Sequence, residues 1–253
     1  MSSGTFKPPA PRLRRCYVLD EDEGLGWRVP PGIRPVARQL ATAAVVLLPV
    51  GEQPLQRWYG AVADGGAGML VLRGAFARAV HVAGRTATEI FGPGDLIRPW
   101  DVGRHESVPR EIAWRVLVGA ELALLNEDFA TRTRLWPEIF SALLARAEQR
   151  AEGLAVQRAI ASHPRVDMRV AMLLWHLAGR YGVVQPDGSV RLDLPLTHRL
   201  LGELAGAERP SVSHALGRLT RAGLVARDRQ ELTLFGTPAA HEEAATRPLE
   251  ARL

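Results

Sequence analysis

Of the 253 residues one is cysteine, Cys16, and one is lysine, Lys7. A single cysteine excludes an intramolecular disulfide and the four-thiolate ligation usual for iron–sulfur clusters. No run of about 18 apolar residues occurs, so no transmembrane helix is expected. The most apolar stretch, residues 41–50, is too short to span. Residues 1–15 lack the apolar segment of a secretory signal, and the expected location is cytoplasmic. Neither a Gly-x-Ser-x-Gly elbow nor a phosphate-cradling Gly-x-x-x-x-Gly-Lys-Ser/Thr loop is present. His81 and His105 stand too far apart for a His-x-His metal site. No residue set nominates a reaction, so the chain is expected to be neither an enzyme nor a holder of a metal or cofactor.

What the chain does have is a shift of texture along its length. Hydrophobic residues make up 47%, ample for a sizeable core. Short apolar runs divided by Gly, Pro and Asp predict strands at residues 45–50, 56–62, 69–72, 76–82, 86–91 and 112–118. Such spacing suits an antiparallel sandwich or roll. From residue 126 the period becomes helical, with a short helix over 128–136 and a long one from Pro137 to about Ser162. Phe140, Leu143, Ala147, Arg150, Leu154, Gln157 and Ala161 alternate three- and four-residue steps, a coiled-coil-like seam. A further helix is expected over 165–180, then two short strands around Pro186-Asp187-Gly188.

The most informative stretch is 196–235. Thr197 stands at an N-cap position before Leu200, Leu201 and Leu204, and Gly206 ends that helix. A second helix opens at Arg209-Pro210, where proline is tolerated. Val212, Leu216 and Leu219 form its buried stripe. Its other face shows Arg209, Ser211, Ser213, His214, Gly217 and Arg218. After Gly223 the pattern is strand, turn, strand. Two helices at fixed spacing followed by a two-stranded wing predict a winged helix-turn-helix, whose second helix can enter a major groove of double-stranded DNA. The candidate DNA-binding residues are Thr197, Arg209, Ser211, Ser213, His214 and Arg218. Net charge is +5, but this C-terminal unit is close to balanced, so affinity must rest on where charges are placed.

The order of elements resembles the Crp/Fnr family of bacterial transcription regulators. The likeness rests on Met69-Leu70-Val71-Leu72-Arg73-Gly74, on Phe91-Gly92-Pro93-Gly94-Asp95 and on residues 197–224. It implies an α+β fold: an N-terminal antiparallel β-roll of the cyclic-nucleotide-binding type, a long dimerisation helix, and a C-terminal winged helix-turn-helix. The expected divisions are 1–39, a tail with a short helical segment; 40–125, the sensor roll; 126–162, linker and dimerisation helix; 163–236, the DNA-binding domain; and 237–253, a flexible tail. A homodimeric transcription regulator is implied, with RNA polymerase as a further partner and no membrane.

The family's nucleotide site is degenerate here. Arg98-Pro99 stands where nucleotide-binding members carry Gly-Glu, and Arg110-Glu111 where they carry Arg-Ser or Arg-Thr. Pro99 cannot accept a ribose hydroxyl's hydrogen bond, and Glu111 repels a phosphate. Arg98, Trp100, Asp101, Arg110 and Arg115 are the residues expected to line a modified pocket for a nucleotide-like or other small effector. Pro210 and His214 replace residues that help relatives read their operator, so the operator is expected to differ. The competing reading is a ligand-sensing or protein-docking module whose winged helix binds a protein.

Overall fold

The computed structural model describes residues 13–63, 65–98, 108–228 and 231–246. The chain opens with β1 (Leu13–Tyr17), α1 (Val18–Glu21), α2 (Glu23–Gly26) and α3 (Arg34–Leu40). β2 (Thr42–Leu48) and β3 (Gly51–Glu52) lead to a 3-10 turn, Leu55–Trp58, and α4 (Tyr59–Val62). β4 (Gly68–Val82), β5 (Arg85–Phe91), β6 (Leu96–Ile97) and β7 (Glu111–Leu125) complete an antiparallel seven-stranded sheet. Its path is β1-β2-β7-β4-β5, with β3 on β7 and β6 on β4.

Alternation along β4 sorts its side chains by face. Leu70 and Leu72 join a core with Cys16, Leu25 and Phe129, whereas Met69, Val71 and Phe76 join one with Trp58, Phe91 and Trp114. Burial pushes the Cys16 thiol up to about 11, with Glu21 adding to it, so it stays a packing group at neutral pH.

Three expectations for this half are corrected. Residues 56–62 are helical, because Leu55, Trp58 and Val62 are the buried positions and their steps of three and four follow a helix. The separate strands 69–72 and 76–82 are one, β4, continuous through register shifts between Val71 and Phe76. Finally, the segment before residue 40 is no tail from Leu13 onward. β1 pairs with β2 from Leu13↔Val46 to Tyr17↔Thr42, and Val18, Leu25 and Ala37 are fully buried.

The second half is helical until its last sheet. Asn126 caps α5 (Glu127–Thr133), accepting from the Phe129 N–H at 3.1 Å. α6 (Pro137–Ser162) follows, 26 residues and so roughly 39 Å long. α7 (Val166–Tyr181), β8 (Gly182–Val184), β9 (Val190–Leu192), α8 (His198–Ala205), α9 (Arg209–Arg221), β10 (Val225–Asp228), β11 (Glu231–Leu234) and α10 (Pro238–Thr246) complete the chain. The strands form a four-stranded sheet, β10-β11-β9-β8. α10 corrects the expected flexible tail: His241 and Ala245 are buried, and the His241 ring meets Trp175 edge-on at 5.3 Å.

The winged unit is docked on the first sheet. Ala75, Ala77 and Ile90 share a core with Leu174, Leu204 and Leu216. Among the described residues, no helix is long and apolar enough to cross a membrane.

Candidate nucleic-acid interface

The Thr197 hydroxyl accepts from the Leu200 N–H at 3.1 Å, so α8 begins where its cap residue dictates. It ends at Gly206, whose φ of +60° is the left-handed closure a glycine adopts freely. The guanidinium of Arg169 on α7 donates to Gly206 O at 2.6 Å and Ala205 O at 3.2 Å, covering the negative end of that helix. Gly202 has a different job. A Cβ there would lie 2.5 Å from Ala207 O, so only glycine lets the turn fold this close before α9.

On α9 the buried residues are Val212, Ala215, Leu216 and Leu219, steps of three, one and three that make one apolar face. Arg209, Ser211 and His214 are exposed on the opposite side, near the helix start. Arg209 has no ion pair among the described residues. These three, with exposed Thr197 across the turn, form a polar surface of hydroxyls, an imidazole and a guanidinium, groups able to hydrogen-bond base edges and phosphates.

Two other candidates are placed differently. Arg218 points back into the domain: it pairs with Asp167 at 2.7 Å and donates to Ala244 O at 3.2 Å, with 15% of its side chain exposed. Position 218 lies more than two turns beyond the helix start, where α7 and α10 close over it. Ser213 is half-buried and already engaged. Its hydroxyl donates to Arg209 O at 3.1 Å and lies 2.6 Å from His198 Nδ1. His198 went unnoticed in the sequence because its partner is fifteen residues away. Arg227, on the first strand of the wing, donates to Leu196 O at 3.4 Å.

Three of the expected effector residues fall within the described residues. Arg115 pairs with Glu203 of α8 at 3.6 Å, whereas Arg98 and Arg110 are exposed at the ends of β6 and β7. Trp100 and Asp101 lie outside the described residues. A different group of charges occupies the junction instead. Arg78 pairs with Glu89 and lies over the rings of Phe91 and Trp114. Arg150 of α6 pairs with Glu89 and with Asp95, the latter at 3.2 Å, and stacks 3.4 Å from the Phe91 ring centre. Asp95 also binds Arg180 of α7 at 2.8 Å and accepts from the Gly92 N–H at 2.8 Å. Arg78–Glu89–Arg150–Asp95–Arg180 is thus a ladder of alternating charge from the first sheet through the long helix to the winged unit. Beside it Gln157 donates to Thr88 O at 2.8 Å and to Leu204 O at 3.2 Å.

Those contacts correct the expected seam on α6. Leu143 is buried in the core, and Arg150 and Gln157 face the sheet and the winged unit. Among the exposed residues of α6, Leu144, Ala147, Ala151, Leu154 and Arg158 follow steps of three and four, and Ala147 and Leu154 belong to the expected seam as well.

A sheet-bearing N-terminal half is thus joined by one long helix to a winged helix-turn-helix. Residues 168–235 match the Crp-like helix-turn-helix domain, and the described chain has the Crp/Fnr fold. The global nitrogen regulator of Synechococcus elongatus is 26% identical over 107 residues, 42% of this chain and 48% of that protein. The match therefore spans about half the length of that relative. Among solved structures, a cyclic nucleotide-binding domain containing protein from Listeria monocytogenes superposes with a TM-score of 0.60 at 12% identity, over 75% of this chain and 87% of its own. A CRP-family transcriptional regulator from Thermus thermophilus gives 0.53 at 21%, over 75% and 94%.

Proposed function

We propose that this chain is a sequence-specific, DNA-binding transcription regulator acting as a homodimer. The observation that carries the reading is the α8–α9 pair: a capped first helix, a glycine-tightened turn, and a second helix whose exposed start presents Arg209, Ser211 and His214. Pairing two chains along Leu144, Ala147, Ala151 and Leu154 would place two such helices on one duplex and double the phosphate contacts. That seam keeps Ala147 and Leu154 of the one the apolar spacing suggests and replaces Leu143 and Arg150 by Leu144 and Ala151, a rotation of about 50° round α6. Any effector that enters the first domain acts on the winged unit through the charge ladder, since the ladder links the two. Contacts with RNA polymerase belong to the same proposal.

The test is duplex binding as a function of salt. A regulator neutralising several phosphates loses affinity steeply, with a log–log slope near −0.9 per phosphate for B-form DNA. A salt-insensitive interaction, equal for selected and random duplexes, would refute the reading.

A further inference from the structure

We infer that a DNA phosphate seats among His198, Arg209 and Arg227, and that His198 takes up a proton when it does. This rests on the regulator reading above and adds to it a proton-linked contact.

Three elements bring basic groups together at the start of α8. His198 is the first residue of that helix, Arg209 the first of α9, and Arg227 lies on β10. The Arg227 guanidinium donates to Leu196 O at 3.4 Å, two residues before His198, and the Ser213 hydroxyl joins the His198 ring at 2.6 Å to Arg209 O at 3.1 Å. On its own helix the neighbouring Arg199 is engaged by Glu203 at 2.9 Å. The N-terminus of α8 adds the partial positive charge of its free N–H groups. An anion is the ligand this arrangement favours, and on a DNA-binding surface that anion is a backbone phosphate.

The hydrogen bonds then fix the state of the ring. The Ser213 hydroxyl hydrogen is committed to Arg209 O, so its oxygen accepts from His198, and Nδ1 carries the hydrogen. Nε2 is left with a lone pair. Burial, and then the charges of Arg227 and Arg209, hold this imidazole below the ordinary histidine value, so the free protein keeps it neutral. A phosphate reverses the balance: its negative charge offsets the two guanidiniums and favours the imidazolium, and Nε2 becomes a donor. One proton is taken up at each contact. By linkage, affinity rises as pH falls, by at most about tenfold per pH unit for each site.

The experiment is fluorescence anisotropy at fixed salt, between about pH 6 and 8, with a duplex selected by the full chain from random sequence. Calorimetry in two buffers of different ionisation heat counts the protons. The expected result is proton uptake and an affinity that climbs towards acid pH. His198→Gln flattens the profile, and His198→Arg, permanently charged, flattens it while holding the tighter acid-side affinity. His81→Asn, at a histidine of β4 outside the α8–α9 surface, keeps the slope. A native profile without slope, or a slope that survives both His198 substitutions, would overturn the inference and leave the regulator reading standing. No duplex binding at any pH would overturn both.

Discussion

Replacing Arg150 by methionine tests the charge ladder most directly. Its side chain is 13% exposed, and its partners Glu89 and Asp95 are 9% and 4% exposed. Removing one member of a buried ion pair costs about 3–5 kcal/mol when the partner is left alone. Here neither carboxylate is abandoned, because Glu89 keeps Arg78 and Asp95 keeps Arg180 and the Gly92 N–H. That lowers the electrostatic loss to about 2 kcal/mol. The guanidinium also stacks on Phe91, worth about 1–2 kcal/mol in a desolvated setting, and methionine returns part of it through sulfur–aromatic contact. The net expectation is about 2–3 kcal/mol, or a fall in Tm of about 4–12 °C for a chain of this size. Urea unfolding followed by circular dichroism at several protein concentrations measures it. A loss below about 0.5 kcal/mol, the size of a surface substitution, would refute the ladder. So would a loss seen only at low concentration, which would return Arg150 to a dimer seam.

Other outcomes follow from the same contacts. Arg209→Ala should lower affinity for the selected duplex by about 1–3 kcal/mol and relax one guanine position, read by competition with single-base variants. Thr197→Ala should cost about 0.5–2 kcal/mol of stability through the lost cap, measured by thermal unfolding. Leu144→Glu together with Leu154→Glu should shift the sedimenting species from dimer to monomer at unchanged helical content. Acid should destabilise the winged unit through His241, which is fully buried and held below its ordinary value by burial, against its hydrogen bond to Phe235 O at 3.0 Å. The unfolded chain protonates this ring first. The contribution is therefore present above about pH 6.5 and lost as pH falls below it, a dependence that His241→Gln should remove.

Much of this fold was legible because its signals are local. A cap, a closing glycine and a proline at a helix start act within one turn, and α8 and α9 begin and end where Thr197, Gly206 and Arg209-Pro210 place them. The wing followed from Gly223 and the alternation beyond it. Residues 55–62 misled because aromatic and β-branched residues favour strands, whereas the decisive quantity was which of them meet the core. β1 and α10 were missed for a related reason. The short, arginine-bearing β1 carries weak strand propensity and is fixed by pairing with β2; α10 is rich in the helix formers Ala and Glu, and what stays hidden in its sequence is the burial of His241 and Ala245.

The site was less legible, and α6 shows why. Two overlapping stripes on this helix run in alternating steps of three and four and share Ala147 and Leu154, one adding Leu143, Arg150 and Gln157, the other Leu144 and Ala151. Periodicity cannot rank them, because a coiled-coil seam and a face packed on its own domain share the same spacing. The polar members were informative in hindsight. An arginine and a glutamine within an apolar stripe cost desolvation unless partners wait opposite them, and Glu89, Asp95, Thr88 O and Leu204 O supply those partners. A stripe carrying such residues is better assigned to the face where the fold provides acceptors, which leaves Leu144, Ala147, Ala151 and Leu154 for the proposed dimer seam. The same logic separates Arg209 from Arg218 on α9. Both are arginines on a predicted reading face, yet Asp167 lies opposite Arg218, whereas Arg209 is exposed at the helix start.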